Sequence, residues 1–179
     1  KRMRRPSSLD WVRRTIGKMR DRMPDLAIRS TFIVGYPGET AAEFKGLVKL
    51  VQEMEFDRVG VFTYSPEPGT ESARLRDSVA HKTKEERREV LMAVQQAISL
   101  RKNQAWVGKS MRVLIEGEGD GVSIGRSYRD APEVDGLVII DGRLPVGQMA
   151  DVTITCAMPY DLSATAPGAK QKLVRIRRK

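Results

Sequence analysis

The chain has 179 residues, with 32 Lys and Arg against 23 Asp and Glu, 40% hydrophobic residues and a single Cys. That length suits one large or two small domains with enough apolar content for a core. No apolar run approaches the ~20 residues needed to span a bilayer, and one Cys excludes a disulfide framework or a multi-cysteine metal site within the chain. The start, KRMRRPSS, is basic but lacks a following apolar segment, so the expectation is no signal peptide, no membrane partner and a cytoplasmic location.

Net charge of +9 raises nucleic acid as a partner, but the charge is unevenly placed. Residues 1–29 carry ten cations and three anions, residues 30–104 eleven of each, residues 105–169 five cations and nine anions, and residues 170–179 six cations. The basicity therefore belongs to the two ends, around an acidic segment. Each basic end reads either as a solvated face or as a phosphate-binding arm.

Taken in order, Ser7 or Ser8 can cap a helix from near Leu9 to Pro24, with Val12, Ile16, Met19 and Met23 on one face. AIRSTFIV (27–34) predicts a buried strand, and GYPGET a turn. Thr40 caps a second helix to about Met54, and RVGVFT (58–63) predicts a second strand. Strand, helix, strand implies parallel neighbours in an α/β sheet. A turn-rich loop (64–75) leads to a long helix over 84–105. Beyond it MRVLIE, VSIGRSY, GLVIID and MADVTITCA alternate between Gly and Asp turns, the pattern of a small antiparallel barrel or sandwich. Cys156 falls on an alternating strand and is expected in the core, His81 is expected to be exposed, and the eight Met residues are expected mostly to pack. Two strands and two helices in 1–75 cannot cover both faces of a parallel sheet, so a part of that domain is expected to lie elsewhere.

Two loops invite chemistry. FIVGYPGET (32–40) ends a strand at Gly35, Pro37 and Gly38, where backbone is open to close approach, and Glu39 follows. YSPEPGT (64–70) ends the next strand. Ligands of parallel α/β folds sit at this rim, although Thr40 and Glu39 also suit a plain helix start. Arg29, early in an apolar strand, needs an anionic partner if buried, either a ligand carboxylate or a structural Glu. GRSYRDAPEVDG (125–136) joins two barrel strands. Its Arg126, Tyr128 and Arg129 suit nucleic acid, but Asp130, Glu133 and Asp135 oppose phosphate and suit a basic protein.

FIVGYPGET, YSPEPGT, the long helix and GRSYRDAPEVDG together resemble the radical S-adenosylmethionine methylthiotransferases of the RimO type, from the early MRRPSS to about Ala166. The tRNA-modifying sister group carries a different, asparagine-containing motif after the corresponding Gly-Arg. The resemblance implies residues 1–82 as the last part of a partial TIM-like α/β barrel, 83–105 as a connecting helix, 106–167 as a five-stranded antiparallel β-barrel of the TRAM type, and 168–179 as a basic tail. It implies an enzyme that attaches a methylthio group to an aspartate of the small-subunit ribosomal protein S-twelve, using S-adenosylmethionine and two [4Fe-4S] clusters. Arg29, Ser30, Ile33, Gly35, Pro37, Gly38, Glu39, Tyr64 and Ser65 would then border the cofactor. Arg126, Tyr128, Asp130, Glu133 and Asp135 would meet the substrate. No catalytic residue is identified. With no CxxxCxxC and one Cys, no metal ligand or cluster is expected on this chain, which by itself is expected to be inactive. A fragment of a tRNA-modifying relative, an RNA-binding barrel, and a free-standing S-adenosylmethionine-binding protein are the other readings.

Overall fold

The structure is a computed structural model that describes residues 8–166. The arginine-rich start, the alternative cap Ser7 and the basic tail lie outside the described residues. The chain divides into two units, 1–99 and 100–179.

In the first unit, helix α1 spans Leu9–Arg22 and is capped by the Ser8 side chain, which accepts from the Trp11 N–H. Strand β1 spans Arg29–Val34, helix α2 Ala41–Met54, strand β2 Arg58–Thr63 and helix α3 begins at His81. Thr40 closes α2 in a reciprocal capping box with Glu43. β1 and β2 pair in parallel, Arg29 beside Arg58 through Val34 beside Thr63, as the strand–helix–strand order implies. Val34, Val51, Val61, Leu91 and Ile98 form one core cluster, and Ile16, Leu50, Met54 and Phe56 a second. Arg20 ties α1 to the end of α2 by donating to the carbonyls of Met54 and Glu55.

β1 is not buried throughout, as its apolar run suggested. Ser30, Phe32 and Val34 turn inward, while Arg29, Thr31 and Ile33 are exposed. The helices pack on one face of the two-stranded sheet, so the strand alternates. Across the pair Ile33 stands beside Phe62, and both are exposed.

α3 buries polar groups as well as apolar ones. Gln95, 1% exposed, donates through Nε2 to the Phe56 carbonyl and to Ser99 Oγ, and Ser99 donates to the Asp57 carbonyl. These bonds satisfy backbone groups in the α2–β2 turn that would otherwise be buried without partners.

In the second unit the end of α3, at Gln104, leads to strands β3 (Ser110–Gly119), β4 (Val122–Ser127), β5 (Val138–Asp141), β6 (Met149–Ala157) and β7 (Leu162–Thr165). They close a barrel in the order β3-β4-β5-β7-β6. Nine residues, among them Val113, Ile115, Val138, Ile140, Val152 and Ile154, fill it. All pairs are antiparallel except β5 and β7. The expected five-stranded barrel is present, antiparallel at four of its five strand contacts. In a closed ring of five strands directions cannot alternate all the way round, so at least one neighbouring pair must be parallel.

Cys156 is exposed, against the expectation of a core position. The β6–β7 register shifts between Ile154 and Cys156, so one extra residue reverses the alternation. Val152 and Ile154 point inward and Cys156 outward. Of the Met residues, Met54 and Met111 are buried, whereas Met19, Met23 and Met149 are exposed. His81 is exposed, as expected.

Gly125 is the tightest strand position: a Cβ there would run into the Leu114 carbonyl oxygen and the Val113 side chain. At Gly119 a Cβ would meet nothing within 4 Å. Gly125→Ala is therefore expected to cost ~1–3 kcal/mol by overpacking and to lower the thermal midpoint of the barrel by at least ~4 °C, whereas Gly119→Ala leaves it unchanged. Thermal unfolding followed by circular dichroism checks both.

Candidate functional site

At the carboxyl end of β1 the chain turns through Gly35 (φ 74°) and Gly38 (φ 77°). Only glycine adopts these angles without strain. The turn is held from within. The Glu39 carboxylate accepts from the Gly35 N–H and, at 2.7 Å, from the Arg87 guanidinium of α3, which also donates to the Glu39 carbonyl. Both side chains are nearly buried, 12% and 11% exposed. The Gly38 N–H donates to Ser78 Oγ at 3.0 Å.

The neighbouring loop is held by Lys84. This Lys is 5% exposed and donates to the Tyr64 carbonyl and to the Asp77 carboxylate. Its ammonium also lies over the Tyr64 ring, 5.2 Å from the centroid. The Tyr64 hydroxyl donates to the Ser72 carbonyl, and its ring meets Tyr36 edge-on at 5.2 Å. The Tyr64 N–H donates to the Val34 carbonyl, so the two rim loops are joined directly. A Cβ on Gly35 would run into the Lys84 stem.

Of the residues expected at the cofactor rim, Gly35, Pro37, Gly38, Glu39, Tyr64 and Ser65 thus gather at one end of the sheet. Pro37 and Tyr64 are buried and Ser65 is exposed. Ile33 is 42% exposed on the open sheet face. Arg29 and Ser30 lie at the opposite end of β1, five and four positions before Val34, and Arg29 is exposed, so burial does not demand an anion there. Sequence reasoning missed Lys84 and Arg87. Their signal was available: Lys84, Leu91 and Gln95 recur on one helical face, and Arg87 lies one turn before Leu91.

In the second unit, residues 125–136 fold around their own acids. Asp130, 8% exposed, accepts from the Ser127 N–H and, at 2.6 Å, from Ser127 Oγ. Asp135 accepts from the Ala131 N–H at 2.8 Å. Arg129, 7% exposed, donates to Asn103 Oδ1 and lies over the Trp106 ring at 5.6 Å. Asn103, fully buried, donates in turn to the carbonyls of Met158 and Pro159. Arg126 pairs with Glu116. Tyr128 and Glu133 are exposed, Glu133 with φ 61°. Asp130 and Asp135 hold the loop, and Tyr128, Glu133 and Val134 are what it presents to solvent.

The TRAM domain family matches residues 107–166, the span of the barrel. Over nine-tenths of its length the chain is similar to methylthiotransferases of the RimO type. It is 53% identical over 167 residues to a protein of Chloroflexus aurantiacus named "Ribosomal protein uS12 methylthiotransferase RimO", covering 90% of this chain and 37% of that protein. It is 51% identical to the protein of the same name from Roseiflexus sp. (90% and 35%) and 41% identical to that from Opitutus terrae (99% and 37%). The chain spans little more than a third of the length of these relatives. No helix among the described residues is long and apolar enough to cross a membrane.

Removing one partner of a buried pair strands the other. Arg87→Met is expected to destabilise the first unit by ~3–5 kcal/mol, and Lys84→Met by less, because Asp77 keeps 36% of its side-chain surface in water. Glu39→Gln keeps an acceptor for Gly35 and is expected to cost less than Arg87→Met. Denaturant titration of the three variants checks the order.

Proposed function

We propose that this chain is the C-terminal portion of an enzyme that attaches a methylthio group to an aspartate of ribosomal protein uS12. Its first unit lines part of an S-adenosylmethionine pocket, and its TRAM barrel recognises the protein substrate. The observation that carries this reading is the identity of about half, over 90% of the chain, with proteins whose name states that activity. The enzyme works in the cytoplasm, where ribosomal proteins are made.

The rim suits a nucleoside-bearing cofactor in chemistry. Ile33 and Phe62 form an exposed apolar surface on the sheet, and Ser65 offers an exposed hydroxyl at the loop beside it. The N–H groups of Gly35 and Gly38 are already engaged by Glu39 and Ser78. This chain's contribution is therefore a fixed wall for the ligand. Of the two [4Fe-4S] clusters of such enzymes, one would supply the radical chemistry and the other would serve sulfur insertion. These residues do not fit a cluster: the chain has one Cys, and no three His, Cys, Asp or Glu among the described residues are placed to hold a metal. The cluster thiolates must come from other parts of the enzyme, and this chain alone is inactive.

The substrate class follows the charge. Residues 105–169 carry nine anions and five cations, which favours a basic protein over RNA. The second reading is a tRNA-modifying relative, favoured by the basic residues at both ends of the sequence. Binding of the chain to purified uS12 and to tRNA, titrated at stepped salt, separates them. The expected result is tighter binding to uS12. Tighter, steeply salt-dependent binding to tRNA would overturn the proposal.

A further inference from the structure

Helix α1 spends part of its surface within the first unit and leaves one stripe to solvent. Ile16 is buried with Leu50, Met54 and Phe56, and Val12 packs on the same cluster. Arg13 pairs with Glu53 and Asp10, and Arg20 donates to the carbonyls at the end of α2. Trp11, Arg14, Lys18 and Arg22 take the side away from Ile16. They follow at i, i+3, i+7 and i+11, within an arc of ~80°. All four are exposed, Trp11 by 57%.

The three cations rise along the stripe in steps of ~6 Å. No described residue forms an ion pair with Arg14, Lys18 or Arg22. Of the two acids on α1, Asp10 is spent on Arg13, and Asp21 borders the stripe beside Lys18 at i+3, so the stripe stays net cationic. Arg22 also suits the carboxyl end of a helix, but Arg14 and Lys18 lie before the last turn. A merely solvated face needs no ring, and Trp is a poorer helix former than Lys or Arg. A row of unpaired cations beside an open indole is what a nucleic acid strand uses, with phosphates on the cations and a base on the ring. A membrane suits it less, because the apolar side that a bilayer helix buries is already packed on α2.

We infer that the Trp11–Arg14–Lys18–Arg22 face of α1 docks single-stranded RNA. This rests on the proposed reading that the substrate is a ribosomal protein, and adds that the enzyme meets that protein on its RNA. The RNA is a scaffold here and not the group modified. Three phosphate contacts and one stacked base give weak binding, with Kd on the order of 10⁻⁴–10⁻⁶ M at physiological salt.

Two variants of the full-length, cluster-loaded enzyme test it, both at exposed positions, with circular dichroism melts as the check on folding. One is Trp11→Ala, and the other is Arg14→Gln with Lys18→Gln and Arg22→Gln. The probes are a fluorescein-labelled single-stranded RNA of mixed sequence and the duplex of the same sequence, titrated by anisotropy at stepped salt. The triple variant is expected to weaken single-strand binding at least tenfold and to flatten the slope of log affinity against log salt by about 2. Trp11→Ala is expected to weaken single-strand binding about tenfold with the slope unchanged, and to leave duplex binding as it was, since paired bases offer no face to the ring. Methylthiolation of free uS12, read by mass, is expected to be equal in all three proteins. If both variants bind the single strand as wild type does, or if wild type does not bind it, the surface is wrong, while methylthiolated uS12 leaves the proposed function standing. If wild type leaves uS12 unmodified although the RNA results hold, the proposed function falls and the surface remains.

Discussion

The first unit depends on one carboxylate. Glu39 lies four residues beyond Gly35, accepts its N–H, and carries a charge that only Arg87 of α3 meets at close range among the bonds described. A Gly-Pro-Gly turn has little side chain with which to hold itself, and its backbone freedom is entropically costly to fix. Placing the anchoring charge inside the turn and its partner on a neighbouring helix solves that problem. Lys84, one helical turn earlier, does the same for Tyr64. The rim loops are thereby fixed from the helix side, which leaves the open face of β1 and β2 clear.

The barrel meets a different constraint. Five strands closing on themselves force one parallel pair, and the short β7 supplies it beside β5. The loop between β4 and β5 is then shaped by its own acids. In this unit charge has two roles: Asp130 and Asp135 bond the backbone of their own loop, whereas Glu116, Glu118, Asp120 and Asp141 remain at the surface. A net count of charge does not separate these roles. The hydrogen bonds do.

Much of the fold was legible because it is written in local patterns. Ser8 and Thr40 mark helix starts, the strand–helix–strand spacing gives the parallel pair, and alternation marks four barrel strands. What was hidden depended on long-range or out-of-phase effects. Cys156 sits at a position that alternation assigns to the core, but a bulge after Ile154 turns it outward. Arg29 reads as buried in an apolar run, but helices cover only the other face of its strand. β7 is four residues of LSAT, too short and too small-sided to stand out. Gln95, Ser99 and Asn103 are polar, so an apolar periodicity overlooks them, yet each is buried by bonds to carbonyls far away in sequence. The glycine turns of the site were legible as turns. The cations that hold them were overlooked, although Lys84 shares a helical face with Leu91 and Gln95 and Arg87 lies one turn before Leu91.

Under the proposed function, the rim loops and the barrel are parts of one enzyme acting on uS12. The measurement that tests this most directly is the intact mass and peptide mapping of uS12 from source cells with the gene present and deleted. The account predicts a methylthio group on a single aspartate of uS12, lost on deletion and restored by the full-length gene. An unmodified uS12 in wild-type cells, with the methylthio group found instead on a tRNA base and lost on deletion, would contradict it.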